Sequence, residues 1–306
     1  MAIAVAAVGT APVTVETPWQ RFWRAYFSSK LAVAGLVMLV LVLLTALFGP
    51  ALAPQNPYDL RVLDVMNSRL APGEESVDGK LTFLLGSDEQ GRDMVSAIIY
   101  GIRTSVLVGV SSTLAALAIG LTLGLLAAFK GGRTEAGIMR LVDIQLSFPP
   151  VLIALILLAL TGPGLGKIII ALITVQWAQT ARIARGIALV ERRKEYIEAV
   201  TCLGLPTWRI LLRHLLPNCL TPLMAVAALQ VASAITLEAT LSFLGLGLPP
   251  TSPSLGLLIA NGSQYLMSGK YWISVFPGVA LVLVIVAINL VADQLRDVLN
   301  PRLQTQ

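Results

Sequence analysis

The 306-residue chain has little charge: only 13% of its residues are Asp, Glu, Lys or Arg. An average soluble domain has roughly a quarter. Hydrophobic residues make up 56% of the chain, and its mean hydropathy is +0.79. A chain of this composition lacks the polar surface that a soluble or disordered protein presents to water. We therefore predict an all-α polytopic membrane protein.

Histidine and cysteine are also scarce. The single histidine, His214, excludes a histidine-based triad, a proton relay or a multi-histidine metal site within the chain. Cys202 and Cys219 form no C-x-x-C spacing, so neither a metal site nor a disulfide is expected. The run 162–167 ends in Gly-Lys but lacks the first glycine and the final hydroxyl residue of a phosphate-binding loop. We predict no catalytic residue, no metal site and no nucleotide site.

Runs without charge locate the membrane spans, because a helix needs about 20 apolar residues to cross the hydrocarbon core and a central charge is costly. The fourth run is the weakest, with 14 residues before Arg182. We expect Arg182 and Arg185 to extend from the cytoplasmic end of that span towards water. The six predicted transmembrane helices are 31–53, 104–129, 141–161, 168–185, 215–241 and 271–292.

The positions of Lys and Arg predict the orientation. Arg21, Arg24 and Lys30 precede the first span, which favours a cytoplasmic tail over residues 1–30 rather than a signal peptide. Six crossings return the second tail, 293–306, to the same side. Fifteen of the 22 Lys and Arg then lie in the cytoplasm. The predicted loops are 54–103, 162–167 and 242–270 outside, and 130–140 and 186–214 inside.

The two long outer loops differ in character. The first ends in an amphipathic stretch, Met94–Tyr100, which we predict to be an interfacial helix capped by Ser87 or Asp88. The second is rich in Gly and Pro, carries a single charge and contains a short apolar piece, Leu255–Ala260. Irregular backbone at membrane depth is tolerated only against protein or a water-filled cavity. We therefore place this loop near the outer mouth of a pathway.

The cytoplasmic loop 186–214 predicts a helix, a glycine elbow and a second helix. Good helix formers run from Glu195 to Leu203, Gly204 ends them, and Pro206 suits a new first turn. Trp208, Leu211, Leu212 and Leu215 recur at the spacing of one helical face, with Arg209 and Arg213 opposite. By pattern alone, a surface helix that anchors the bundle explains this segment.

The same loop resembles a known signature. Glu198 and Ala199, followed by Gly204 and then by Leu216 and Pro217, resemble the EAA motif of ABC importer permeases. The chain departs from that motif at its next residue, valine 200, where a second alanine is usual, so we expect docking to survive with altered local packing. Further blocks, in the expected order, resemble peptide/nickel-type permeases, above all the second permease subunit of dipeptide and oligopeptide systems. These blocks are 85–93, 147–150, 214–218, 241–247 and 295–302.

The resemblance implies an ABC type I importer-like permease fold in the bacterial cytoplasmic membrane. It implies that this chain moves di- or oligopeptides by alternating access, with no cofactor of its own. The implied partners are a homologous second permease subunit, two ATP-binding-cassette ATPase subunits or domains that bind ATP and Mg²⁺, and an external solute-binding protein; nucleic acid is not expected. The residues implied in coupling to the ATPases are Glu195, Glu198, Ala199, Gly204, Trp208, Arg209, Leu216 and Pro217.

A few polar residues lie near or within the predicted spans. We expect Asp143 to pair with Arg140, and Glu238 either to face a cavity or to hold the outer Gly/Pro-rich loop by hydrogen bonds. Four others are candidates for contacts between helices or for the pathway: Gln176, Gln179, Gln230 and Asn289.

Three alternatives remain open at this point. The same architecture imports nickel chelates or glutathione-like peptides in related systems. A self-contained secondary transporter is a different class, which typically has inverted repeats and coupling-ion ligands at mid-bilayer; neither is evident here. A membrane scaffold or channel component is the third.

Overall fold

The computed structural model describes residues 17–299 except Leu60 and Pro250. Parts of the two predicted tails, 1–16 and 300–306, therefore lie outside the described residues. Most of the described chain is helical. Its helices are α1 (Pro18–Phe27), α2 (Lys30–Leu52), α3 (Met94–Lys130), α4 (Gly132–Leu146), α5 (Pro150–Thr161), α6 (Leu165–Glu191), α7 (Glu195–Cys202), α8 (Thr207–Arg209), α9 (Leu216–Phe243), α10 (Leu255–Ser263) and α11 (Trp272–Val298).

Four described helical segments are long and apolar enough to cross a membrane: α2, α3, α11 and the continuous helix Thr207–Phe243 that contains α9. A fifth is obtained if α4 and α5 count together as one bent span. The predicted fourth span, within α6, does not reach the same hydropathy, because glutamines and arginines interrupt its second half.

The predicted third span, 141–161, is not a single straight helix. It is split into α4 and α5, whose axes differ by 83°. The break falls at residues 147–149, so Pro149 lies in the break and Pro150 begins α5. A proline lacks the amide hydrogen that a helix needs and disfavours helical geometry in the residue before it, which explains the break.

The predicted interfacial helix Met94–Tyr100 is not separate from the second span, because both belong to the 37-residue helix α3. The prediction that Ser87 or Asp88 caps this helix is wrong. Asp93 is the cap, and its carboxylate accepts the backbone N–H of Ser96 at 2.7 Å.

Helices α3 and α6 pack closely at the centre of the bundle, through the small residues Gly120 and Gly124. A Cβ added at Gly120 would lie 2.5 Å from the Cβ of Thr180 and 2.6 Å from the carbonyl oxygen of Trp177. At Gly124 it would lie 2.6 Å from the carbonyl oxygen of Ala181. The small-residue spacing therefore serves packing within this chain.

Residues 85–93 form a compact structure before α3, here called the outer knot. Asp88 and Arg92 are buried in it as an ion pair, with Arg92 Nε donating to Asp88 Oδ2 at 2.6 Å. Asp88 Oδ1 also accepts the backbone N–H of Arg92. Gly91 has a positive φ of 75°, and a Cβ there would lie 2.2 Å from the Asp64 carbonyl oxygen. The described part of this predicted outer loop is therefore an ordered unit, which includes the short antiparallel strands β1 (Glu74–Glu75) and β2 (Thr82–Phe83).

Helix α10 shows that the second outer loop enters the bundle. Leu255, Leu257 and Leu258 are buried. Gly256 permits the close approach to α9, since a Cβ there would lie 2.3 Å from the Ala239 carbonyl oxygen. α10 also packs against α11. The loop that sequence placed near a pathway mouth is thus held against protein.

Candidate functional site

The loop after α6, which sequence places in the cytoplasm, has the predicted order of helix, glycine elbow and second helix. α7 ends in a Schellman motif: the N–H of Gly204 donates to the carbonyl of Thr201 at 3.0 Å, and the N–H of Leu205 donates to that of Val200 at 3.4 Å. Gly204 has a φ of 72°, which glycine adopts without strain. Val200 and Leu205 pack against one apolar cluster with Ile197. Valine in place of the usual alanine therefore supplies the apolar contact of this motif.

Most of the residues implied in coupling are exposed along this loop, whereas Leu216 is half-buried against the apolar cluster that contains Ile197. Glu195, Glu198, Ala199, Gly204 and Arg209 are exposed. Leu203, Trp208 and Leu212 are also exposed, by 76%, 60% and 59%, although they are large and apolar. The guanidinium of Arg209 lies 5.5 Å from the ring centre of Trp208. We call this set of residues the coupling strip. An apolar strip beside charged residues is typical of a surface that binds a partner.

The predicted apolar face of the second helix is divided between two environments. Leu215 is fully buried in the apolar cluster, together with Ile210, which the pattern missed. Trp208 and Leu212 are exposed instead. The division arises because residues 210–215 form a π-helical turn, in which the N–H of Leu216 bonds to the carbonyl of Leu211. The wider turn shifts the faces away from the α-helical spacing used for the prediction.

Pro217 gives a physical reason for the π turn. Proline in a helix donates no backbone hydrogen bond, and its ring clashes with the carbonyl four residues earlier. The wider turn lets the chain continue without a break, so that α8, the π turn and α9 form one helix over Thr207–Phe243. The second helix of the loop is therefore continuous with the predicted fifth span, so a force on Trp208 acts directly on that span.

Glu191, which sequence reasoning missed, holds the base of the loop. Its buried carboxylate accepts a hydrogen bond from the Tyr196 hydroxyl at 2.8 Å and from Lys194 Nζ at 2.9 Å. Burial, followed by the hydrogen bond to Glu191, raises the pKa of Tyr196, so the phenol stays protonated and donates. These contacts join the last residue of α6 to the first turns of α7. The sequence did not predict this contact, because a single glutamate at the end of a helix has no distinguishing pattern.

Two ion pairs join α4 to α6 near the predicted cytoplasmic face. Arg182 pairs with Asp143, and Arg185 pairs with Glu135. The expectation that Asp143 pairs with Arg140 is therefore wrong. The prediction used neighbours in sequence, whereas the folding of α4 against α6 brings Arg182, which is 39 residues away, to the carboxylate.

Glu238 lies at the centre of a buried cluster of hydroxyl groups. Ser105 Oγ donates to Oε2 at 2.9 Å, and Ser242 Oγ donates to Oε1 at 2.7 Å. Ser254, which caps α10, also hydrogen-bonds this carboxylate. Glu238 is fully buried. Of the two roles considered from sequence, these contacts match the one in which Glu238 holds the outer loop.

The two glutamines differ in how fully their amides are bonded. Gln230 exchanges two hydrogen bonds with Thr180, at 3.1 and 3.0 Å. Gln176 Oε1 accepts from Thr113 Oγ1 at 3.3 Å. Its Nε2 is buried and has no hydrogen-bond partner among the described residues. Gln230 therefore joins α9 to α6 by hydrogen bonds, whereas Nε2 of Gln176 has no acceptor among the described residues.

Two family models match the chain. Residues 120–305 match the binding-protein-dependent transport system inner membrane component family. Residues 17–72 match the N-terminal TM domain of oligopeptide transport permease C. Together they cover the coupling loop and every predicted span except part of the second. The sequence-based identification of the family is therefore confirmed.

Curated relatives match over most of the chain. The dipeptide transport system permease protein DppC of Escherichia coli K12 is 39% identical over 295 residues, which cover 96% of each chain. The di/tripeptide transport system permease protein DppC of Pseudomonas aeruginosa is 38% identical over 288 residues, or 94% of this chain and 93% of the relative. The Bacillus subtilis DppC is 36% identical and covers 93% of this chain and 86% of the relative. These relatives are permease proteins rather than enzymes.

A solved structure supports the fold. A chain of the MetNI methionine ABC transporter, in an inward-facing conformation, aligns with a TM-score of 0.56 at 21% identity. The alignment covers 67% of this chain and 96% of that one. This chain is thus a multi-pass helical membrane protein, as its composition predicted, and it has the permease fold of that transporter, as the resemblance implied.

Proposed function

The chain belongs to the binding-protein-dependent transport system inner membrane component family, and we propose that it is one permease subunit of an ABC importer for di- and oligopeptides. Relatives named as dipeptide and di/tripeptide permeases, matched over more than nine-tenths of the chain, carry the proposal. Nickel chelates and glutathione-like peptides are the alternative substrates. The proposed location is the bacterial cytoplasmic membrane, since the relatives are bacterial.

The proposed topology has six crossings with both termini in the cytoplasm. α4 with α5 forms the third crossing and α6 the fourth. The weak hydropathy of α6 is compatible with a crossing because protein shields it: Ala171, Ala178, Ala181 and Ala184 are buried. Its two arginines pair with carboxylates at the end that we place in the cytoplasm. Polar groups in a span are tolerated when they are paired inside the bundle.

The coupling strip is the proposed contact with an ATPase subunit. Leu203, Trp208 and Leu212 would enter an apolar groove on that partner, while Glu195, Glu198 and Arg209 would set its orientation. Closure of two ATPases around ATP would then move the strip. Because Trp208 and Pro217 belong to the helix that continues into α9, this movement would tilt the span, a rigid-body change between inward-open and outward-open states.

The remaining partners follow from the same proposal. A second, related permease subunit would complete the passage, and an external solute-binding protein would deliver the peptide. ATP and Mg²⁺ would bind to the ATPases.

Co-purification combined with peptide uptake tests the proposal. The tagged full chain, expressed with its neighbouring transporter subunits, is expected to retain the ATPases and to support uptake of radiolabelled dialanine. Glu198→Arg reverses a charge in the coupling strip and is expected to reduce both. Glu75→Arg, an equal charge change in the exposed strand β1, is the matched control for ATPase binding.

Retention of ATPases by Glu198→Arg at the control level would contradict the assignment of the strip. Uptake of a nickel chelate or glutathione in place of dialanine would select an alternative substrate.

A further inference from the structure

Two cavities lie along the same side of α6 and α9. One, of about 470 Å³, reaches from the bend between α4 and α5 to α11. The other, of about 480 Å³, continues to Arg296 and Leu299 at the end of α11. Gln179 and Ser233 line both cavities, so the two form one continuous groove, here called the polar groove. Each half has a volume typical of small-molecule sites. The polar lining of the first cavity consists of Gln176, Gln179, Ser233, Thr236, Thr240 and Asn289. The second cavity adds Gln230 and Arg296.

The groove side of α9 differs from a lipid-facing surface. Ser233, Thr236 and Thr240 share one face of α9. They are exposed, whereas every other residue from 225 to 241 is buried or half-buried. Polar side chains within membrane spans face the bundle interior or a water-filled cavity. Ser233 and Thr236 donate to carbonyls of their own helix, at 3.1 and 2.9 Å, so their oxygens are left to accept hydrogen bonds from the groove.

Gln176 adds a donor to this lining. Its side chain is 7% exposed, and Nε2 has no partner among the described residues, whereas Oε1 is held by Thr113. Leaving a buried amide donor unpaired is unfavourable, so the arrangement is best satisfied when a group with a free oxygen occupies the groove. Gln230, which also lines the groove, differs because each polar atom of its amide already has a partner on Thr180. The carboxylate of Glu238 is an acceptor that serine hydroxyls already hold.

We propose that the polar groove is this chain's share of the peptide passage, and that Gln176 donates a hydrogen bond to a carbonyl oxygen of the passing peptide. This inference rests on the proposed function. Every peptide unit presents one donor and one acceptor, which amide and hydroxyl groups match. Among the described residues, the groove lining is uncharged except at Arg296, where the groove reaches the end of α11. A neutral lining of this kind contacts the backbone that all peptides share and does not select by side-chain charge.

Cysteine labelling tests whether the groove is a wet passage. Ser233→Cys and Thr236→Cys are made in the full chain, assembled in its complex in membranes, and treated with a charged, membrane-impermeant methanethiosulfonate. Labelling is located by peptide mass spectrometry, which separates it from the native cysteines. Leu41→Cys is the control, because Leu41 is 58% exposed at the middle of α2 and is apolar. We expect labelling at 233 and 236 and none at 41. Absence of labelling at both groove positions would show that another helix or lipid covers this face, and would overturn the proposal.

A pair of variants separates peptide contact from helix packing. Gln176→Met removes the amide at similar volume, and Thr113→Val removes only the hydrogen bond that joins Gln176 to α3. Loss of one hydrogen bond to the peptide predicts uptake of radiolabelled dialanine that is about 2–10-fold lower for Gln176→Met than for Thr113→Val, at equal amounts of assembled complex. Equal uptake by the two variants would mean that Gln176 only joins helices, and would overturn its assigned role.

The two tests also distinguish this inference from the proposed function. If the unmodified complex imports no dialanine, the peptide assignment fails, and labelling still reports whether the groove is open to water. If the complex imports dialanine but positions 233 and 236 stay unlabelled, the importer assignment stands and the passage lies elsewhere.

Discussion

The hydroxyl of Tyr196 donates to the carboxylate of Glu191 at 2.8 Å, and this contact joins the end of α6 to the start of the coupling loop. Lys194 Nζ contacts both oxygens of the same carboxylate, at 2.9 and 2.8 Å. The coupling strip is therefore attached to the bundle at both ends: through Glu191 at α6, and through the continuous helix from Thr207 into α9. A loop fixed at both ends can transmit a push, whereas a flexible loop absorbs it.

Tyr196→Phe is expected to weaken this attachment. The substitution removes the hydrogen bond from Tyr196 to the buried carboxylate of Glu191, which still pairs with Lys194. We therefore expect a loss of about 1 kcal/mol in the free energy of unfolding. The number of peptides imported per ATP hydrolysed should fall, because part of the ATPase movement is lost in the loosened loop. Thermal unfolding of the purified complex and the uptake-to-hydrolysis ratio measure the two effects. Tyr271→Phe, which removes a hydroxyl from an exposed ring, is the control. An unchanged ratio for Tyr196→Phe would contradict this account of the loop.

Gly204→Ala tests the left-handed elbow. Apart from its two chain neighbours, no described residue has an atom within 4 Å of the added Cβ, so the change introduces backbone strain without a clash. We expect destabilisation of about 1–2 kcal/mol, or a shift of the elbow that lowers ATPase binding. Gly186→Ala also meets no atom within 4 Å but has helical geometry in α6, where alanine is favoured over glycine by up to about 1 kcal/mol. Thermal unfolding is expected to show lower stability than the unmodified protein for Gly204→Ala and higher stability for Gly186→Ala.

Gly120→Ala tests the close packing of α3 on α6. The new methyl group would meet backbone atoms of α6 at 2.6–2.8 Å, and these atoms move only if the helices separate. Overpacking of this kind typically costs about 1–3 kcal/mol. Gly137→Ala, in α4 with no atom within 4 Å, is the matched control and should be neutral or stabilising. The yield of folded protein after detergent extraction compares the two. Equal yields would argue against a rigid contact between α3 and α6.

The buried pair in the outer knot should be sensitive to loss of either partner. Asp88→Asn leaves the charge of Arg92 buried without its carboxylate, and breaking a buried ion pair typically costs about 3–5 kcal/mol. Arg92→Met should cost a similar amount through the charge left on Asp88. The double variant Asp88→Asn with Arg92→Met should recover part of the loss, because no charge is then buried. Thermal unfolding of the three variants measures the interaction energy between Asp88 and Arg92. If the loss of stability in the double variant equals the sum of the two single losses, the ion pair is not the source of stability.

Sequence patterns predicted the features that depend on neighbours along the chain. The charge-free runs indicated where the bundle lies, and Gly204 and Pro206 marked the elbow because their backbone preferences are strong. The blocks resembling known permeases identified the family. The cluster around Glu238 was foreseen as one of two roles, since the sequence showed its position beside the outer loop but not Ser105, which is 133 residues away.

Features that depend on distant parts of the chain were missed or mispredicted. Arg182 rather than Arg140 pairs with Asp143, because only the folded arrangement of α4 and α6 brings them together. The π turn at residues 210–215 moved Leu215 inward and left Leu212 outside, which a constant helical period does not anticipate. The free Nε2 of Gln176 is likewise visible only once the partners of Gln176, Gln230 and Thr180 are known.

Uptake into proteoliposomes tests the central claim most directly, namely that this chain is a passage driven by ATPases acting on the coupling strip. Radiolabelled dialanine and the solute-binding protein are supplied outside, and ATP is enclosed. The complete complex is predicted to concentrate dialanine only when ATP is present, and the isolated chain to concentrate none. Concentration of dialanine against its gradient by the isolated chain, without any ATPase, would contradict the account.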